Sequence, residues 1–260
     1  MSTDHPFLAI TVGNTRTAIA ILDDSDIEDK ASFHSTETSD IVEHALKIWK
    51  SLDGESPQIV MASTNESAGS TLSATLEDQT SRQIWQIGED VPVAIGQHLD
   101  PETITGVDRL LNGAAAWELT KQACVVVDVG TCVTVDFIDG EGTFHGGAIA
   151  PGARMQLAAM HNGTTALPEV EFEPPLQEAF GKNTAQAMLQ GVFHGIQGMV
   201  RQLTEQYASR YGAYPFVIAT GGDALSLFEE DDLIEQIAPD LQMQGIAISV
   251  SHAMSVENDG

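Results

Sequence analysis

The stretch Ala123-Cys-Val-Val-Val-Asp-Val-Gly-Thr-Cys-Val-Thr-Val-Asp-Phe-Ile-Asp139 decides how this chain folds. β-Branched residues fill it, with one break at Gly130-Thr131, so it reads as strand, tight turn, strand. Asp128 ends the first strand, and a glycine and a hydroxyl follow it in the turn. A carboxylate beside a turn with free backbone N–H groups suits a metal ion and a phosphate held together. A plain hairpin with a polar turn is the other reading of this stretch alone.

A second copy lies more than a hundred residues upstream. Thr11-Val-Gly-Asn-Thr-Arg-Thr-Ala-Ile-Ala-Ile-Leu22 lays over Asp128 to Asp139, with Val-Gly on Val-Gly and Thr17 on Thr134. Such a repeat suggests duplicated halves, each offering a glycine turn to one ligand. In the kinase fold that hexokinase, actin and Hsp70 resemble, two such hairpins grip the phosphates of ATP from opposite domains, which at this point is fold analogy.

The 260 residues allow one large domain or two ordinary ones with ample core, and a hydrophobic content of 42% fits a soluble globular protein. Net charge is −27. Residues 1–120 hold 20 acidic and 6 basic side chains, the remainder 18 and 5, so the charge is spread and is not a tail. Such a surface repels nucleic acid and anionic membranes. It also repels ATP, so a nucleotide site needs Mg²⁺, backbone N–H groups and helix N-termini. Cys124 and Cys132 fit no zinc spacing, lie in apolar strands and read as buried free thiols of a reducing cytoplasm. The N-terminus, with Asp4 and His5 and no basic region, has no signal-peptide pattern, and no apolar run approaches a membrane span.

Along the chain, Phe7 to Val12 and Thr17 to Leu22 form the first hairpin, and Asp23 to Asp26 an acidic turn. Short strands are expected at Ser32 to Thr36, Pro57 to Ala62 and Arg82 to Ile87. Helices are expected at Ser39 to Ser51, capped near Ser39 or Asp40, and at Ser67 to Gln79. Strand and helix thus alternate, which makes the chain α/β. Thr105 starts an Ala-rich helix, with Thr105 and Asp108 as a capping box. In the functional reading, compatible with this, Asp108 and Arg109 stand at a helix start facing a cleft between the halves. Gly146-Gly147 lets the backbone approach something closely. Pro151-Gly152 opens a helix to about His161, and Glu169 to Pro175 is a loop or edge segment because paired prolines exclude an inner strand. Asn183 to Ser209 is a long amphipathic helix whose Ala187, Gly191 and Gly195 permit close approach of another helix. Pro215 to Gly222 is a strand ending in a diglycine turn. Ala224 to Phe228 and Leu233 to Ala238 read as short helical pieces. Gly245 to Met254 is ambiguous between strand and helix, and Ser255 to Gly260 reads as a tail.

Glycine turns therefore end strands at Gly13, Gly130 and Gly221-Gly222. The last suits an adenosine contact, where missing side chains let a base or ribose lie against the backbone. There is no Walker A pattern: Lys182 follows Gly181, but Asn183 stands where Ser or Thr is needed. Rossmann, H-E-x-x-H and G-x-S-x-G patterns are absent too.

Taken in order, Val12-Gly-Asn-Thr15, Gly106-Val-Asp-Arg109, Asp128-Val-Gly-Thr131 with Thr134 and Asp136, Gly146 to Gly152, Leu167-Pro168, Gly181-Lys-Asn-Thr184 with Gly191, and Thr220-Gly-Gly222 resemble the type III pantothenate kinases, over nearly the whole chain. The resemblance implies two duplicated ribonuclease H-like domains of the actin and hexokinase type with a cleft between them, 1–118 and 119–260. It implies ATP-dependent phosphorylation of pantothenate to 4′-phosphopantothenate, the first step of coenzyme A synthesis, by a cytoplasmic homodimer. Asp108 would be the catalytic base. Gly106, Val107, Asp108, Arg109 and Thr184 would bind pantothenate, with Arg109 on its carboxylate and Thr184 acting from the partner subunit. Thr11, Val12, Gly13, Asn14, Thr15, Arg16, Thr17 and Ala18 would form the first ATP loop, and Thr131 would also contact ATP. Asp128 would hold a monovalent cation, K⁺ or NH₄⁺, with Mg²⁺ accompanying the phosphates.

Two departures stand out. Where the family opens with an aspartate that helps hold Mg²⁺, this chain has Thr11, a hydroxyl that supplies no negative charge; Asp136, Asp128 or water would have to compensate. Where the family often has a substrate-loop tyrosine, His98 precedes Pro101. Thr11 motivates a second reading, a feeble or inactive relative that binds nucleotide or pantothenate and acts through a partner protein. A kinase of another small alcohol is a third.

Overall fold

The computed structural model describes residues 6–24, 26–52, 57–175 and 179–258. Asp4, His5, Ser25 in the expected acidic turn, and the last two residues of the expected tail lie outside these. The chain divides into two compact units. The first gathers Met1–Gly96, Asp100–Glu118 and Asp240–Gly260; the second gathers Gln97–Leu99 and Leu119–Pro239.

In the first unit, Phe7–Val12 (β1) and Arg16–Asp23 (β2) make the expected hairpin, and Asp26–His34 (β3) continues it antiparallel. Ile59–Ser63 (β4) and Ile84–Gln86 (β5) add in parallel, giving the order β3-β2-β1-β4-β5. The two-residue period of β1 sorts its side chains between two cores. Leu8, Ile10 and Val12 pack with Ile41, Val42, Ala45 and Ile48 of Thr38–Trp49 (α1) and Leu72 and Leu76 of Glu66–Thr80 (α2). Ala9, together with Ala20, Val60 and Ala62, packs with Leu111 of Val107–Thr120 (α3) and with Met243, Ile246 and Val250 of the C-terminal helix, Leu241–Asn258 (α7).

In the second unit, Cys124–Val129 (β7) and Cys132–Ile138 (β8) are the central hairpin, and Thr143–Pro151 (β9) extends it antiparallel. Phe216–Thr220 (β10) and Gln236–Ile237 (β11) add in parallel to β7. The order is β11-β10-β7-β8-β9, with Gly96–Gln97 (β6) on the outer edge of β9. Apart from β6, strand order and directions repeat those of the first sheet, so the sequence repeat is also a topological one. Val125, Val127, Val129, Val133 and Val135 face Ala153–Gly163 (α4), Thr184–Tyr211 (α5) and Ala224–Phe228 (α6).

Some expectations shift. Leu233 to Ala238 is not helical: Glu235 N donates to Val217 O and Ala238 N to Ala219 O, which draws the segment into the sheet as β11. Gly245 to Met254 is helix, and the described part of the expected tail, to Asn258, continues it. The helix α1 begins at Thr38 with no side-chain cap on its first turn; Glu37 Oε2 accepts from His34 N at 2.8 Å. Cys132 is exposed, because it opens β8 directly after the turn; only Cys124 is buried. Burial pushes the Cys124 thiol up to about 12, a value only partly offset by a hydrogen bond with Thr120.

Candidate active site

Within the first unit, the turn between β1 and β2 is fixed by its own backbone. Gly13 N donates to Arg16 O at 2.9 Å, Ser35 Oγ donates to Gly13 O at 2.9 Å, and Ser35 N donates to Thr15 O at 2.9 Å. Asn14, Thr15 and Arg16 are exposed at its tip, Ala18 is half-buried, and Thr17 is buried with its hydroxyl 3.1 Å from that of Ser35. Beside the turn lies a cleft of about 260 Å³, lined by Val12, Asn14, Thr17, Ser35 and Asn65 and by the first turns of α1 and α2. Among the described residues its lining carries hydroxyls and amides and no ionised group, so it offers donors without opposing charge. Thr11 is buried, in register with Ala18 on one side and Ala62 on the other. No carboxylate replaces the missing one in those register positions.

The first turn of α3 carries Gly106, Val107, Asp108 and Arg109. Val107 packs into the core shared with α7. A Cβ on Gly106 would stand 2.6 Å from Asp108 Oδ1, so glycine is the residue that lets the carboxylate lie back over the helix start. Asp108 Oδ1 accepts from Arg109 N at 2.9 Å, which replaces the expected capping box. Burial raises the Asp108 carboxyl above the ordinary range; the Arg109 N–H and the Arg109 guanidinium pull it back only in part. A half-buried carboxylate with raised basicity beside a cation can orient a hydroxyl, take its proton and hold an anionic substrate.

Within the second unit, Asp128 is next to last in β7, in register with Thr220 on β10 and Thr134 on β8. Gly221, at φ +94°, passes so close that a Cβ there would stand 2.5 Å from Asp128 Oδ1 and 2.4 Å from Val129 O. No L side chain fits without moving backbone. Nothing lies within 4 Å of a Cβ on Gly222 or Gly130, so both turns present open backbone. Thr131 is exposed, and its carbonyl accepts from Gly152 N at 3.0 Å, seating the turn on the start of α4. Thr184 is exposed at the first position of α5, whose cap, Asn183 Oδ1, accepts from Gln186 N at 2.9 Å. The structure thus gathers Asp128, Thr131 and the diglycine turn at one end of the second sheet. The first loop, and separately Asp108 and Arg109, belong to the first unit.

Residues that motif reading overlooked are Arg154 and Asp223. Arg154 Nη1 donates to both oxygens of Asp223, at 2.7 and 2.6 Å, and its guanidinium lies 5.8 Å from the Phe172 ring centre. Asp223 is buried and Asp223 N donates to Val129 O, so the pair ties α4 to the diglycine turn. Separation of 69 positions hid it; the one signal available was an arginine two residues after Pro151-Gly152. Among the described residues, no three His, Cys, Asp or Glu side chains converge on a common metal position.

A family model for type III pantothenate kinase matches residues 7–206. A type III pantothenate kinase from Rhodospirillum rubrum is 34% identical over 248 residues, which cover 93% of this chain and 96% of that protein. Among solved structures, a Campylobacter jejuni protein assigned to the Baf family of transcriptional activators has a TM-score of 0.63 at 20% identity, covering 96% of this chain and 100% of that one. The activator of 2-hydroxyisocaproyl-CoA dehydratase from Clostridium difficile, with bound ADPNP, has a TM-score of 0.54 at 14% identity, covering 98% of each chain. At such identities the structural likenesses establish the fold, the α/β architecture of the actin and hexokinase type.

Proposed function

The chain belongs to the type III pantothenate kinase family, and from that premise we propose that it transfers the γ-phosphoryl group of ATP to the primary hydroxyl of pantothenate, giving 4′-phosphopantothenate for coenzyme A synthesis. The observation that carries the reading is Asp108, half-buried, raised in basicity and adjacent to Arg109 at the start of α3. Asp108 orients the hydroxyl and accepts its proton late in transfer, since a carboxylate is a weak base toward an alcohol. Arg109 pairs with the pantothenate carboxylate, fork to planar anion. Gly106 and Val107 shape that end of the site, and Thr184 contacts pantothenate from a second subunit.

The loop Thr11 to Ala18 takes ATP phosphates on its backbone N–H groups and hydroxyls, and Thr131 also contacts ATP. Gly222, with open space above its backbone, receives the adenosine. The donor set at the first turn holds no carboxylate and, apart from the exposed Arg16, no charge, so it suits phosphate oxygens and does not suit a divalent cation held by protein alone. Mg²⁺ therefore enters with ATP, as part of the substrate. Asp128, an anionic oxygen beside the Thr220 register position, suits one monovalent cation. The exposed thiol of Cys132 suits a reducing cytoplasm; among the described residues, no helix is long and apolar enough to cross a membrane. The duplicated halves of this proposal are residues 1–118 and 119–260.

The test is ADP release coupled to a phosphorus NMR readout, with ATP, Mg²⁺ and K⁺, over pantothenate and a panel of small alcohols. Pantothenate-dependent turnover yielding a phosphate monoester supports the reading; folded protein that releases no ADP with pantothenate sinks it. Family membership favours this reading over a catalytically feeble relative. Thr11→Asp separates the two: a large rise in turnover would mark the natural chain as impaired.

A further inference from the structure

His98, His145 and Asp139 have no part in the site above, yet the second unit brings them together. Backbone pairing does the placing: Gln97 lies in β6 on the edge of β9, and His98 N donates to Phe144 O at 2.9 Å, setting the His98 ring beside that of His145. The two rings meet edge to face, with centroids 5.3 Å apart and planes at 87°. Their Nδ1 atoms stand 3.4 Å apart. On its far side, His145 Nε2–H donates to Asp139 Oδ2 at 2.7 Å. Asp139 is itself held, because its Oδ1 accepts from Glu141 N and Thr143 N at 2.9 Å each.

That bond to Asp139 places the His145 proton on Nε2 and leaves an Nδ1 lone pair turned toward His98. In the metal-free protein, His98 Nδ1–H fills the gap. Two imidazole nitrogens bound to one tetrahedral ion at about 2.0–2.1 Å stand roughly 3.4 Å apart, the spacing already present. An imidazole backed by a fixed carboxylate is the arrangement that orients a ligating histidine and raises its basicity. We propose that His98 and His145, with Asp139 behind His145, form a two-histidine site for a late first-row divalent ion such as Zn²⁺ or Ni²⁺. Binding shifts the His98 proton from Nδ1 to Nε2, so no net proton is lost. Both rings are exposed, which leaves room for water at the remaining positions and for the small rotation that turns both lone pairs onto the ion. The bound ion clips 97–99 onto β9. It is separate from the Mg²⁺ that accompanies ATP, which prefers oxygen ligands.

The experiment is calorimetric titration of the full chain with Zn²⁺ in excess Mg²⁺, which occupies surface carboxylates. The wild type should show one site that His98→Gln and His145→Gln each remove, and that Asp139→Asn weakens about tenfold to a hundredfold. A readout without substitutions is NMR of the wild type with substoichiometric Ni²⁺, which should broaden the ring protons of His98 and His145 first. Zn²⁺ binding unchanged in both histidine variants, or Ni²⁺ broadening other histidines while these two stay sharp, would overturn the proposal.

Discussion

On the proposed mechanism a single carboxyl, Asp108, concentrates the chemistry at the residue scale. Burial holds its folded-state value above that of the unfolded chain. The folded protein therefore binds this proton more tightly than the unfolded one, so the group costs stability above its folded value and that cost is relieved as pH falls through it. Activity runs the other way, because only the ionised form accepts a proton. The acid limb of kcat/KM should accordingly fall at a higher pH than an ordinary aspartate would give, and a pH–rate profile checks this. The adjacent glycines of β10's turn make a second, paired prediction. Gly221→Ala meets Val129 O at a positive φ and should cost more than about 1 kcal/mol in denaturant unfolding. Gly222→Ala meets open space and should leave stability nearly unchanged while raising KM for ATP. At this scale the sequence spoke clearly where backbone was the message: a Cβ on Gly13 would stand 3.0 Å from Arg16 O, and Gly221 holds a positive φ against Val129, whereas Gly130 turns in open space. It was silent on Arg154 and Asp223, since a side-chain pair between distant segments leaves no local periodicity.

Elements were legible in proportion to how far their own pattern decides them. The hairpins β1–β2 and β7–β8 have β-branched strands and glycine turns, and they lie where expected. The helix α5 has a cap, an apolar stripe and a glycine end, and it too matches. Tertiary pairing decided the others. Two residues of β11 exist because β10 offers an open edge, and α7 is a helix because one face of the first sheet needs covering, a need invisible in Gly245 to Met254 itself. One face of α5 exposes Thr184, Ala187, Gly191 and Gly195, and a Cβ on either glycine would meet nothing within 4 Å. On the proposed dimer, a second subunit's helix uses that space. Gly195→Leu should then convert a dimer to a monomer in sedimentation velocity while leaving the circular dichroism spectrum intact; an unchanged sedimentation coefficient would argue against α5 as the contact.

Across the whole molecule, the repeat seen in twelve residues near Thr11 and Asp128 extends to both sheets, with one strand order used twice. Duplication explains why each unit ends a central strand in a glycine turn. The division between units was harder to read, because α7 is last in sequence yet packs with the first sheet. A net charge of −27 on 260 residues adds a global term. Self-repulsion of so many carboxylates weakens the folded state at low ionic strength, where screening reaches only beyond about 30 Å. Melting temperature should therefore rise with added KCl over the low-salt range, and a flat response would show that the charges are locally compensated.

The most direct test of the account compares steady-state kinetics of the wild type and Asp108→Asn at saturating ATP, with pantothenate varied. The account predicts a fall in kcat of about 10²–10⁴ with KM for pantothenate little changed, since Arg109 remains to hold the carboxylate. A folded Asp108→Asn variant that turns over pantothenate at the wild-type rate would contradict it.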